Sequence, residues 1–192
     1  VSWMKEQGLQ PRVLHEYWAP ETQPLGTGGD MHFAFSYATQ AALVEVDLET
    51  GEVHVLKVIA GTDVGRALNP KSVEGQVQGA IVMAMGNALT EEYIIEEGVP
   101  WSTLLARYKM PSIKYTPEIE SVIVEHATTE GPYGAKGVGE LPQINTTPAI
   151  TNAIYNATGV RITSIPVDQD ALLRALKTGA REVHTTWKDV KK

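Results

Sequence analysis

The sequence predicts an α+β domain in which a mixed sheet with hairpins packs against helices. Three observations support this fold class. Two runs of alternating apolar and polar residues, 43–48 and 53–59, flank a tetrapeptide at 49–52 that contains Gly51, which is typical of a β-hairpin. A long helical pattern begins near residue 70. Further strand and helix patterns then follow one another along the rest of the chain.

The long helix has clear start signals, because Asn69 suits the N-cap and Pro70 suits the first helical position. Apolar residues then recur every fourth position and form one broad face: Val73, Val77, Ile81, Met85 and Leu89. Gly75, Gly79 and Gly86 interrupt this helix, and each costs about 1 kcal/mol relative to alanine. We therefore expect a large or flat group to lie close to the helix backbone.

The later elements are predicted from shorter patterns. A strand at residues 93–95 precedes a turn at Glu97 and Gly98, and a second alternating strand covers residues 119–125. A second helix is expected to begin with Thr147 as its cap and Pro148 behind it, and to end at Gly159. A short strand at 160–163 leads to a last helix, which runs from the Asp168 cap to residue 176.

Composition excludes several classes of protein. The chain is 43% hydrophobic and 20% charged, which is ordinary for a globular domain with a sizeable core. A net charge of −7 argues against a nucleic-acid partner, and the absence of cysteine excludes iron–sulfur clusters bound by this chain. No run approaches the roughly 20 apolar residues of a membrane span, and no basic-then-apolar leader is present. We expect a cytoplasmic protein.

A glycine-rich loop at residues 130–139 leads into Glu140. It is not a phosphate-binding loop, because Lys136 is followed by Gly137 where that motif needs serine or threonine. The loop presents a carboxylate beside apolar Leu141, and burial of a carboxyl group among apolar groups would suit a general base. Gln76, between glycines, could bond a flat polar ligand. The residues alone nevertheless favour a solvated loop glutamate and a surface glutamine.

The motifs are more informative when they are taken in order. In chain order they are Tyr37-Ala38-Thr39-Gln40, the strand Val44-Glu45-Val46-Asp47, the turn at 49–53, the segment 63–70, Glu74-Gly75-Gln76, Tyr108-Lys109-Met110-Pro111, Gly137-Val138-Gly139-Glu140 and Ile165-Pro166. This series resembles the C-terminal part of the molybdenum-binding subunit in the xanthine dehydrogenase/aldehyde oxidase family. The resemblance covers roughly residues 17–176.

The resemblance implies a molybdenum ion held by a pterin dithiolene, so no protein side chain is expected to ligate the metal. By the same resemblance, Glu140 matches the glutamate that acts as general base in the oxidative hydroxylation of an N-heteroaromatic or aldehyde carbon with oxygen from water. Gln76 resembles the glutamine that bonds the cofactor. The backbone of three further positions, Gly75, Gly137 and Gly139, is expected to lie against the pterin, with Val138 in the same loop.

The resemblance also implies a domain organisation and a set of partners. Residues 1–30 are expected to continue from an upstream region, residues 31–178 to form the cofactor-binding domain, and residues 179–192 to form a tail. Partners would be the rest of the molybdenum-binding subunit, subunits or domains with iron–sulfur clusters and FAD, and a small-molecule substrate, in an oligomer. The form of the pterin stays open, with a cytosine dinucleotide as one alternative.

Two other functions remain as alternatives at this stage. The first is a non-catalytic scaffold domain that mediates assembly of the same complex. The second is a member similar to carbon monoxide dehydrogenase. In every case we expect the isolated chain to be inactive, because the substrate pocket and the electron-transfer modules would lie elsewhere.

Overall fold

The computed structural model describes residues 1–184, and the chain divides into two compact units. The first unit, Val1–Ala34, contains one short helix, α1 (Ser2–Glu6), followed by irregular chain. A turn follows at residues 25–29, and Thr27 donates its hydroxyl to the Pro24 carbonyl at 2.7 Å. Of the expected tail at 179–192, residues 185–192 lie outside the described residues.

The second unit begins at Phe35 and contains every other element. In chain order these are β1 (Ala38–Val46), β2 (Val53–Asp63), α2 (Pro70–Leu89), β3 (Ile95–Glu96), β4 (Val99–Pro100), α3 (Leu105–Tyr108), β5 (Glu118–Val124), α4 (Leu141–Thr158), β6 (Arg161–Ile162), α5 (Gln169–Thr178) and β7 (Glu182–Val183). Mixed strands and packed helices confirm the predicted α+β class.

The main sheet has three strands in the order β1-β2-β5. β1 and β2 form the predicted antiparallel hairpin, and its turn is held by Asp47, whose carboxylate accepts the N–H groups of Glu49 and Thr50 at 2.7 and 3.0 Å. β5 runs parallel to β2 on the other side, so the long helix α2 lies in the crossover between them. The strand predicted at 93–95 overlaps β3 only at Ile95, and β3 pairs with β4 across the predicted turn at Glu97 and Gly98.

The caps predicted at Asn69 and Asp168 are confirmed. Asn69 accepts the Ser72 N–H at 3.1 Å at the start of α2, and Asp168 accepts the Ala171 N–H at 2.9 Å at the start of α5. Each cap satisfies a backbone donor that has no partner inside the helix. Gly159 ends α4 in the left-handed conformation, as expected.

The predicted start of α4 is wrong. Thr147 and Pro148 lie inside the helix, which begins at Leu141, six residues earlier. Proline is favoured at the start of a helix because it lacks an N–H group, and it is usually costly further along. Here α4 continues back past Pro148, and Thr147 donates its hydroxyl to the Ala84 carbonyl of α2 at 3.1 Å. Glu140 therefore immediately precedes a long helix.

The core lies between the inner face of the sheet and the helices α2, α4 and α5. Fully buried side chains from each element meet there: Val58 of β2, Val77 and Ile81 of α2, Ile150 and Ile154 of α4, and Leu172 of α5. Burial of one such side chain contributes about 1.5–3 kcal/mol. Along β1, half-buried residues alternate with exposed ones, so the sheet is covered by helices on one face.

Candidate functional site

The start of α2 and the loop that leads to Glu140 both follow strands that end at the same edge of the sheet. β2 and β5 are parallel, and their last residues, Asp63 and Val124, pair directly. The chain leaves β2 towards α2, which carries Gln76, and it leaves β5 towards α4, which Glu140 precedes. The carboxyl ends of parallel strands are the usual place for ligand-binding segments in such sheets. The topology therefore brings the starts of both segments together.

A buried ion pair joins these segments. The Lys136 ammonium contacts the Asp63 carboxylate at 2.6 Å, and both side chains are at most 7% exposed. Burial alone would raise the pKa of Asp63, but hydrogen bonds from Lys136 and from the Gly65 N–H outweigh it, so this pKa lies below its usual value. Both residues occur in segments singled out from the sequence, but nothing local links positions 73 residues apart, so their pairing was not predicted.

Gly65 lies where the two segments touch most closely. The Lys136 N–H donates to the Val64 carbonyl at 2.9 Å, so the loop runs directly beside the end of β2. Gly65 has a φ of +67°, and a Cβ at this position would overlap the carbonyl oxygen of Gly134. Only glycine satisfies both the left-handed backbone and the close approach. The loop that leads to Glu140 is thus fixed to the end of β2 at Gly134 and Lys136.

Beyond Lys136 the loop becomes open. Val138 is half-buried and packs against the core. At Gly137 and Gly139, a Cβ would find no neighbour within 4 Å among the described residues. Glu140 is exposed, so the chain itself does not supply the apolar burial expected from the sequence.

The start of α4 is held to the sheet by side chains of both elements. Gln40 of β1 donates its amide to the Pro142 carbonyl at 2.6 Å and accepts the Thr146 hydroxyl at 2.5 Å. Asn145 donates to the Ala38 carbonyl at 2.8 Å. None of these residues was predicted to belong to the site. A signal was present, since Gln40 is a polar residue in line with inward-facing Ala42 and Val44.

The residues predicted on α2 are on its outer side. Gln76 and Gly75 are exposed, and a Cβ at Gly75 or Gly79 would meet no described residue within 4 Å. At these two glycines the expected close neighbour is not found among residues 1–184. The space beside these two glycines is instead open.

Gly86 behaves differently from the other two glycines of α2. A Cβ there would overlap the Glu91 carboxylate and would approach Pro111 Cδ to 2.9 Å. The close approach expected from the sequence is therefore present at this glycine. A hydrogen bond from Tyr108 to Glu91, together with burial, raises the pKa of the Tyr108 hydroxyl. Glu91 thus links the end of α2 to the segment that contains Tyr108 and Pro111.

Two cavities occur elsewhere on the described surface. One, of about 670 Å³, lies between the β1–β2 turn, the end of α2 and residues 109–118, and the other, of about 700 Å³, lies between α2 and α4. Neither is lined by Gln76 or Glu140. Within residues 1–184, no three acidic, histidine or cysteine side chains are grouped to hold a metal, and no helix is long and apolar enough to cross a bilayer.

The sequence matches the profile of the molybdopterin cofactor-binding domain family over residues 4–117, a range that ends before Glu140. A probable xanthine dehydrogenase subunit of Bacillus subtilis (strain 168) is 34% identical over 157 residues, which are 82% of this chain and 21% of that protein. The aldehyde oxidoreductase molybdenum-binding subunit PaoC of Escherichia coli (strain K12) is 35% identical over 178 residues, which are 88% of this chain and 24% of that protein.

The fold is also similar to that of solved proteins. The aldehyde oxidoreductase from Desulfovibrio gigas superimposes with a TM-score of 0.74 at 34% identity, over 83% of this chain and 17% of that one. The chain thus spans between about a sixth and a quarter of the length of these relatives.

Proposed function

The chain belongs to the molybdopterin cofactor-binding domain family, as part of a molybdenum-binding subunit of the xanthine dehydrogenase/aldehyde oxidoreductase type, and on this premise we propose that it helps to hold a molybdenum–pterin cofactor and supplies the general base Glu140. The relatives named above are oxidoreductases, and the resemblance inferred from the sequence motifs is confirmed at the level of the family. The proposed reaction is oxidative hydroxylation of an N-heteroaromatic or aldehyde carbon.

The open glycine surfaces support a fit to a flat cofactor. Around Gly75 and Gly79 on α2, and around Gly137 and Gly139 before α4, there is room at positions that any other residue would fill with a Cβ. The exposed amide of Gln76 can donate to and accept from ring heteroatoms of a pterin. When bound, the cofactor would supply the two-electron oxidation, with oxygen drawn from water.

The role proposed for Glu140 is to accept a proton at a carboxylate oxygen. The side chain stands before the first turn of α4 and is exposed, so it is free to meet a group that approaches from outside the described residues. A general base must lie within about 3 Å of the proton that it removes, or act through one water. Exclusion of water around Glu140 would have to come from the cofactor, the substrate or the rest of the subunit.

One observation carries the proposal, and it is the way in which Glu140 is held. Upstream, the buried Lys136–Asp63 pair fixes the loop to the end of β2, and downstream, Gln40 fixes the first turn of α4 to β1. A solvated loop glutamate would need neither anchor. Rigid support of an exposed acid at the carboxyl ends of parallel strands is what proton-transfer chemistry requires.

The test is Glu140→Gln in the complete enzyme that contains this chain, with turnover expressed per bound molybdenum. Glutamine keeps the shape but cannot accept the proton, so we expect nearly all turnover to disappear while molybdenum content stays near normal. Glu49→Gln, in the exposed β1–β2 turn, is the matched control and should behave as the unmodified enzyme. Unchanged turnover in Glu140→Gln would end the proposal.

The same enzyme preparation separates the alternatives. Native complex that contains neither molybdenum nor pterin would favour a scaffold role, and copper beside molybdenum would favour a carbon monoxide dehydrogenase-like member. The proposal further includes iron–sulfur and FAD-containing partners, an oligomeric complex and a cytoplasmic location. Co-purification, cofactor extraction and cell fractionation test these points, and extraction also identifies whether the pterin carries a cytosine nucleotide.

A further inference from the structure

Gln40 is an unusual residue for its position in β1. Side chains of β1 that face the helices are apolar along most of the strand, where Ala42, Val44 and Val46 pack against the core. Gln40 continues this inward row and is half-buried. Burial of an amide is costly unless its hydrogen-bonding groups are satisfied. The bonds of this side chain therefore indicate why a glutamine is present.

Both ends of the Gln40 amide bond the first turns of α4. The nitrogen donates to the Pro142 carbonyl at 2.6 Å, and the oxygen accepts the hydroxyl of fully buried Thr146 at 2.5 Å. The Pro142 carbonyl also lies 2.9 Å from the Thr146 hydroxyl. Gln40, Pro142 and Thr146 thus form a closed network whose ends are 106 residues apart in the sequence.

This network lies two residues after Glu140. In the segment just before Glu140, Val138 packs against the core, whereas the positions of Gly137 and Gly139 on either side of it are open among the described residues. Pro142 offers no N–H group. Within residues 1–184, the backbone bonds to Glu140 come from α4: its carbonyl accepts the N–H groups of Gln143 and Ile144 at 3.0 and 3.3 Å. On the downstream side, the position of Glu140 therefore depends on how the first turn of α4 is fixed to the sheet.

We propose that Gln40 is a positioning residue for Glu140, which acts by fastening the start of α4 to β1 through Pro142 and Thr146. This inference rests on the proposed function, since Glu140 must be the base for its position to affect turnover. A misplacement of about 1 Å in a catalytic group lowers rates by about 100-fold. Loss of one of several supporting contacts should have a similar or smaller effect.

The experiment replaces Gln40 by leucine, which has a similar size but makes no hydrogen bonds, in the complete enzyme. We expect kcat per molybdenum to fall about 10- to 100-fold, while KM and molybdenum content stay near their original values. Gln169→Ala is the matched control, since it removes a side-chain amide bond of 3.1 Å that joins α5 to the Thr50 carbonyl in the β1–β2 turn and not to α4, and its turnover should not change. Thr146→Val opens the same network from the other side and should reproduce the loss.

Two further measurements separate positioning from general damage. Gln40→Leu introduced into Glu140→Gln should not lower the residual turnover further, because the two residues act through one proton transfer. Amide hydrogen exchange of residues 137–146 should become faster in Gln40→Leu and stay unchanged in Gln169→Ala, and this readout does not depend on activity.

Each outcome then has one meaning. A Gln40→Leu enzyme as fast as the original overturns the inference and leaves the proposed function intact if Glu140→Gln is inactive. The inference is also overturned if Gln40→Leu lowers the residual turnover of Glu140→Gln by the same factor by which it lowers the turnover of the original enzyme. If Glu140→Gln itself is fully active, the proposed function fails, and the positioning role of Gln40 fails with it even where amide exchange confirms that Gln40 holds the turn.

Discussion

Replacement of Lys136 by methionine should lower the free energy of unfolding of this chain by about 3 kcal/mol. Methionine keeps the length of the side chain but removes the ammonium group from the Asp63 carboxylate, to which it is bonded at 2.6 Å. Removal of one partner from a buried pair costs about 3–5 kcal/mol, because the other charge is left without compensation in a poorly solvated site. Asp63 keeps the Gly65 N–H at 2.9 Å, which places the loss near the lower end of this range.

The matched control is Lys57→Met. Lys57 also contacts two carboxylates, those of Glu118 and Glu120 at 3.0 and 2.9 Å. Its side chain, however, is 30% exposed and its partners are 70% and 52% exposed, against 6% and 7% for Lys136 and Asp63. Solvent screens such pairs and leaves them with little net effect on stability. If the number of ion pairs set the loss of stability, Lys57→Met would be the more destabilising change. If burial sets it, Lys136→Met is the more destabilising change.

The assay is thermal and urea unfolding of the purified 192-residue chain, followed by circular dichroism. For a chain of this size, 3 kcal/mol corresponds to a fall in Tm of roughly 6–12 °C. Lys57→Met should stay close to the unmodified chain. Equal shifts in the two variants, or an unchanged Tm in Lys136→Met, would refute the argument that burial decides the strength of these pairs.

Three further predictions concern stability. The pKa of Asp63 is lower in the folded chain than in the unfolded chain, where it is about 3.9. The contribution of Asp63 to the free energy of unfolding is therefore complete above about pH 3.9 and is lost as the pH falls through the lower folded pKa. Urea unfolding below about pH 4 should thus show a steeper loss of stability in the unmodified chain than in Lys136→Met. Gly79→Ala should stabilise the isolated chain by about 0.5–1 kcal/mol, since the added Cβ would have no described residue within 4 Å. In the complete enzyme the same change should lower the molybdenum content. A normal molybdenum content would argue against cofactor contact at this glycine. Gly65→Ala should cost clearly more than Gly159→Ala, because both have positive φ but only Gly65 would also bring a Cβ onto a backbone oxygen, and equal losses in Tm would contradict this.

The predicted domain boundaries at residues 30 and 178 and the predicted site residues remain hypotheses. The family match supports the cofactor class for the domain as a whole, but it ends at residue 117 and so does not include Glu140. The experiments on Glu140 and Gln40 therefore test the two proposed roles that lie outside or depend on residues beyond this match, general base and positioning residue.

The sequence alone determined the features that depend on near neighbours along the chain. The β1–β2 hairpin, the Asn69 and Asp168 caps and the stop at Gly159 each follow from residues a few positions apart, so periodicity and capping rules were enough to locate them. The order of short motifs was likewise enough to indicate the family. Local rules failed at Pro148, where they placed the start of α4. The helix instead begins at Leu141, and its residues on both sides of Pro148 contact α2 and the sheet.

Only the tertiary structure decided which distant residues meet. The Lys136–Asp63 pair joins positions 73 residues apart, and Gln40 reaches Pro142 across 102 residues. No local pattern encodes such pairs, because they arise when parallel β2 and β5 bring their ends together beneath the helices. The fold also decided exposure: Glu140 and Gln76 are open to solvent within this chain, whereas Val138 between the two loop glycines turns into the core. Burial is a property of packing, so a residue's own sequence neighbours do not determine it.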